Sequence, residues 1–151
     1  MKNSLVGVIV VTLLSVLFVP TQAQENKGTG LVGEWKPIKA VQAGKPAPVD
    51  FLQRLKFTFA ENEITVTQPG QPADVNKYTI DNSKKPSQIN ITPVAGPEKG
   101  KIVQGIYKLE KDALTICYHL PDAKDAKRPT TFSAPKGSKR GMVVLKRVKK
   151  Q

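Results

Sequence analysis

One cysteine and one histidine stand two positions apart, Cys117-Tyr118-His119, with Asp122 three residues beyond. On a strand, residues i and i+2 share a face, so thiol and imidazole would sit side by side. Two chemistries could use such a pair. A metal site takes three or four ligands in tight geometry, and the strong ligands end at these two. Nucleophilic attack by the thiol needs a base and a third group to orient that base, and no Gly-x-Ser-x-Gly elbow or comparable frame is present. The residues therefore predict no catalytic residue, no metal and no cofactor. Cys117 reads as a small, partly buried hydrophobe. Leu114, Ile116 and Tyr118 claim the inner face, so an outward Cys117 would either pair between molecules or lie under the 120–128 loop. His119 reads as a strand-end surface residue.

The glycines at Gly28, Gly30 and Gly33 precede a strand and not a helix, so they are no nucleotide fingerprint. Charge is the other chemical signal. The chain carries 24 Lys+Arg against 12 Asp+Glu in 151 residues. Residues 24–123 hold 13 basic and 11 acidic side chains, whereas residues 124–151 hold 10 basic side chains and one acid. A basic quarter attracts polyanions through diffuse, salt-sensitive charge. Lys136, Lys139, Arg140, Lys146, Lys149 and Lys150 are the candidates for docking an anionic envelope polymer or a lipid surface. Nucleic acid is not the expected partner, because single-strand binders interleave stacking aromatics with their cations and this quarter has only Phe132.

The elements that would position these residues are strands. Period-two alternation recurs between clusters of Pro, Gly, Asn and Asp. The expected strands are Leu31–Lys36, Leu55–Phe59, Ile64–Thr67, Lys77–Ile80, Gln88–Thr92, Ile102–Leu109, Ala113–His119 and Gly141–Arg147. Pro129–Phe132 adds a short edge strand. Pro37 would bend the first strand or mark an edge. Val49–Arg54 predicts one helical turn folded over a barrel end. About eight strands with short connections predict an all-β, antiparallel, up-and-down barrel with at most one short helix. A barrel of that size is either filled by side chains or holds one small ligand. The inward set Phe57, Phe59, Tyr78, Tyr107, Leu114, Ile116 and Tyr118 would line that space.

Ahead of the strands, Lys2 and the apolar run Leu5–Val19 end at Pro20 and Thr21-Gln22-Ala23. This pattern predicts a signal peptide over 1–23, too short to span a bilayer as a helix. The expected organisation is then a flexible start at 24–30, a barrel domain at 31–148 and a basic tail at 149–151. Its destination would be periplasmic or extracellular, with no transmembrane span after cleavage.

Several blocks carry a family resemblance. Leu31-x-Gly33-x-Trp35 resembles the Gly-x-Trp signature of lipocalin-like (calycin-like) barrels. With it run Tyr78-x-Ile80-Asp81-x-Ser83-Lys84-Lys85-Pro86-x-x-Ile89, then Gly105-Ile106-Tyr107-x-Leu109-x-x-Asp112-x-Leu114-x-Ile116-Cys117, then Arg128-Pro129-Thr130-x-Phe132 and Leu145-Lys146-Arg147. Together they resemble an uncharacterised secreted lipocalin-like domain family expanded in planctomycete bacteria. The resemblance implies a lipocalin-like barrel and export, and no known activity. It also implies a structural role for Gly33, Trp35 and Arg147, with the early Trp under the barrel floor against a basic side chain of the last strand. Such a cation–π contact stabilises by roughly 0.5–2 kcal/mol. Paired cysteines and a C-terminal helix, both usual in lipocalins, are not seen in the sequence. The expected function is non-catalytic binding of a small hydrophobic ligand. The alternative is a solid barrel that docks anionic surfaces through its basic quarter.

Overall fold

The computed structural model describes residues 30–121 and 127–149. The expected segments 1–23 and 24–29, Asp122, and Lys150 with Gln151 lie outside them. The described residues form nine strands and one helix: β1 (Gly33–Gln42), β2 (Lys45–Pro46), α1 (Val49–Arg54), β3 (Lys56–Phe59), β4 (Glu63–Thr67), β5 (Asp74–Asp81), β6 (Ser87–Pro93), β7 (Val103–Glu110), β8 (Ala113–His119) and β9 (Arg140–Arg147). Every pairing is antiparallel, from β3 in chain order to β9. β1 joins both β3 and β9, which closes an eight-stranded up-and-down barrel. β2 only lengthens the first hairpin.

The β1–β9 ladder runs from Trp35 opposite Arg147 to Gln42 opposite Gly141. Its register slips between Pro37 and Lys39. β1 pairs β3 only from Gly33 to Trp35. Pro37, which cannot donate to a ladder, therefore lies just past the end of that pairing, at a bulge. A proline inside a closed barrel is tolerated for that reason.

Alternation divides each strand into an inner and an outer row. Leu31, Trp35, Phe59, Tyr78, Ile89, Tyr107, Leu114 and Leu145 form the core at one end of the barrel, all nearly inaccessible. Outward positions carry Glu34, Lys36, Lys77, Thr79 and Lys146, so the exterior is no apolar belt of the kind a membrane barrel presents to lipid. No helix among the described residues is long and apolar enough to cross a membrane.

Arg147 fixes the closed end. Its guanidinium stacks on the Trp35 ring at 4.1 Å from the centroid. It donates to the carbonyl of Val32 at 3.0 Å and to that of Gly30. Trp35 in turn donates from Nε1 to the Leu31 carbonyl at 2.9 Å. Gly33, at φ 137°, makes room for this arrangement, since a Cβ there would stand 2.9 Å from Nη1 of Arg147.

Pro129–Phe132 is not an edge strand, because a closed barrel has no edge to extend. The 127–139 segment instead straps the outer wall. Arg128 donates to the carbonyls of Ile89 (3.0 Å) and Gly105 (2.6 Å) and to Oδ1 of Asn90 (2.7 Å). Pro129 and Ala134 of the strap are buried, and the ring of Phe132 lies under Nζ of Lys108 at 5.4 Å.

Two substitutions test the lock. Trp35→Ala is expected to lower unfolding free energy by about 3–5 kcal/mol, as for other buried aromatic truncations. Gly33→Ala is expected to destabilise through both the positive φ and the displaced guanidinium. Urea midpoints at fixed m-value read both changes, and a Gly33→Ala midpoint equal to wild type would contradict the assignment.

Candidate functional site

The half of the barrel opposite Trp35 is hollow. A cavity of about 970 Å³ lies there, near the upper end of the ~300–1,000 Å³ typical of small-molecule sites. The alternation that fills the other end shapes it. Phe57 and Phe59 of β3, Ile64 and Val66 of β4, Ile116 and Tyr118 of β8 and Val143 of β9 turn their side chains inward. Valine and isoleucine stand among these rings, and the walls leave an open space between them.

α1 lies at the mouth. Pro48 precedes its first turn, and the Leu52 N–H donates to the Pro48 carbonyl at 3.1 Å. Leu52 is buried and reaches the cavity, while Phe51 lines it yet stays 42% exposed. Pro93 at the end of β6, Ala95 and Pro97 of the β6–β7 loop, and Leu120 and Pro121 also line the cavity. The polar lining is sparse. Asp74 and Glu98 stand with Lys45 among the charged lining residues, and Glu98 pairs with Lys101 at 2.8 Å. Asn76 is 8% exposed on the inward row of β5.

Of the seven lining residues expected from sequence, Phe57, Phe59, Ile116 and Tyr118 border the cavity. Tyr78, Tyr107 and Leu114 do not; they belong to the packed end. Tyr78 donates its hydroxyl to the Ala60 carbonyl at 2.8 Å, and Phe59 meets its ring edge-on at 5.6 Å. Tyr107 donates to Oδ1 of Asn82. Asn76 and Ala40 were not expected to face the interior, and Ile91 and the α1 side chains were not named among the lining residues. Asn76 fell just outside the expected strand, because β5 begins three residues earlier than its apolar pattern indicates.

The basic quarter does not gather into one patch. Lys136 packs its backbone against Gly44, and Lys139 and Arg140 give their carbonyls to the N–H groups of Leu120 and Ala43. These three stand at the mouth. Lys146 and Lys149 stand at the closed end, where Lys149 lies 3.7 Å from Asp112. At about 3.3 Å per residue, β9 holds Arg140 and Lys146 some ~20 Å apart. Lys150 lies outside the described residues.

Cys117 does face outward, as the alternation requires, but it is fully covered. The strap contributes to its cover, with Sγ 3.5 Å from the Ser133 carbonyl; residues 122–126 of the expected 120–128 cover lie outside the described residues. Burial pushes its thiol up from the usual range, which disfavours the reactive thiolate. His119 accepts at Nε2 from the Gln104 N–H at 3.1 Å, and its Nδ1 lies 3.1 Å from the Leu120 carbonyl. Both ring nitrogens are thus engaged by backbone. Among the described residues no three His, Cys, Asp or Glu side chains converge as metal ligands.

A scan against protein-family models, a search of curated proteins and a search of solved structures each found no match to this chain.

Two outcomes follow from these environments. Cys117 is expected to resist a thiol reagent in the folded protein and to react on unfolding; rapid labelling under native conditions would contradict the strap geometry. Burial also pushes the Tyr78 hydroxyl up to about 12, with Tyr107 and Glu61 adding to the effect. Tyr107 and Tyr118 are raised in the same direction by burial. The neutral phenol is the form the fold favours, so this stabilisation is complete below the unfolded value of 10. It is lost as pH rises through about 12. Urea midpoints should therefore fall between pH 9 and pH 11.5, and less steeply in Tyr78→Phe than in wild type.

Proposed function

We propose that this chain is an exported, non-catalytic lipocalin-like barrel that carries one small hydrophobic ligand in its cavity. The observation that carries the reading is the division of the interior. One end is packed around Trp35 and Tyr78, while the other leaves about 970 Å³ behind apolar walls. A barrel evolved only as a solid core would fill that space with larger side chains, because each unfilled void forfeits packing contacts. Concave, mostly apolar sites with few polar groups are the form small-molecule sites take.

Export rests on the apolar leader at 1–23, and the same reading places the chain with the uncharacterised secreted lipocalin-like family that its sequence blocks resemble. Docking to an anionic surface through the basic quarter has weaker support. The cations proposed for it are split between the two ends of the barrel and form no single dense patch.

Native mass spectrometry of residues 24–151 recovered from the export compartment tests the proposal. The expected result is an added mass that leaves on denaturation. Val66→Trp, which places an indole inside the cavity wall, is expected to abolish the added mass while the barrel stays folded by circular dichroism. A bare polypeptide mass for wild type, together with no uptake of a fluorescent apolar probe, would overturn the reading.

A further inference from the structure

A polar side chain that the fold itself does not use lies deep in the cavity wall. Asn76 is 92% buried, its residue exposure being 8%. It occupies the inward row of β5 between Asp74 at the mouth and Tyr78 in the packed core. Its strand partners at that level are Ile64 on β4 and Pro93 on β6, neither of which offers a side-chain hydrogen bond. Its carboxamide makes no hydrogen bond to the described residues and is not wholly enclosed by them, so it stays open to the cavity it lines. A wholly apolar ligand seated over it would strip the amide of water and offer no hydrogen bond in return.

We infer that Asn76 is a binding residue that selects an apolar ligand bearing a neutral hydrogen-bonding group, a hydroxyl or a carbonyl, seated at the cavity floor. This inference rests on the cavity-binding reading above. The carboxamide both donates and accepts, so it suits either group. A charged group is disfavoured at that depth. Lys45, the basic residue among the described cavity lining, stands at the mouth on β2, and the acid Asp74 stands one inward position above Asn76. A carboxylate seated beside Asn76 would be desolvated without a counter-ion. The floor around it is otherwise apolar, made by Phe59, Ile64 and Ile116.

The test compares three probes that share an apolar body: pyrene, 1-pyrenemethanol and 1-pyrenecarboxylate. Binding to the chain over residues 24–151 is followed by pyrene fluorescence. Wild type is expected to bind 1-pyrenecarboxylate most weakly. Asn76→Leu is expected to weaken 1-pyrenemethanol about 5–10-fold, the range of one hydrogen bond lost from a buried site, and to leave pyrene equal or tighter. Asn76→Ala, which removes the amide without enlarging the wall, should show the same selective loss and serves if Asn76→Leu fails to fold. Equal changes for pyrene and 1-pyrenemethanol in these variants would overturn the role of Asn76 while leaving the cavity reading intact. Failure of wild type to bind any of the three would overturn both.

Discussion

Closure of β1 against β9 is the constraint on which the rest of this fold depends. Two strands near opposite ends of the chain must meet in register, and Trp35 opposite Arg147 starts that register. The pair does more than stack. Arg147 also ties down the carbonyls of Gly30 and Val32, so the segment ahead of β1 is drawn under the barrel and Leu31 is carried into the core. Once this end is sealed, alternation along the strands sets which side chains point inward at every level above it.

The interior then changes character along its axis. Near Arg147, large rings meet across the barrel: Trp35 against Phe59 at 6.4 Å and Phe59 against Tyr78 at 5.6 Å, both edge-on. Toward the other end the inward rows carry valine, alanine and isoleucine beside the rings of Phe57 and Tyr118, and a cavity opens between the walls. β1 parts from β3 after Trp35 and α1 lies over the opening. The bulge at Pro37 belongs to this change, because it marks the place where β1 turns from a strand with two neighbours to a strand with one.

Most of the architecture was legible in the sequence because alternating apolar residues are a local signal. Leu55–Phe59 and Ile64–Thr67 announce their hairpin with Phe57, Phe59, Ile64 and Val66 all in one phase. Val49–Arg54 is the helix that was expected. What was not legible depends on where inward positions lie along the barrel axis. Tyr78, Tyr107 and Leu114 share the phase of Phe57 and Ile116, yet they sit at the packed end; period alone cannot give depth. Asn76 was missed for the converse reason, since a polar residue at a strand start looks like a loop. Pro129–Phe132 was read as a strand from composition, but it runs in the strap between Arg128, which bonds to β6 and β7, and Ser133, which covers Cys117. The spread of the basic quarter over two poles also follows from tertiary structure: β9 crosses the whole barrel, so charges close in sequence at its two ends are carried apart.

The strap over the outer wall has a consequence for how the chain acquires its structure. Arg128 bonds to residues 23 and 39 positions earlier, and Arg147 to residues 115 and 117 positions earlier. Contacts of such sequence separation carry a large loop-closure entropy and are slow to form. The Arg147 contacts cannot form until β9 is present to meet β1. A chain lacking β9 has no sealed floor and no closed wall, so cooperative folding of the barrel waits for its last strand.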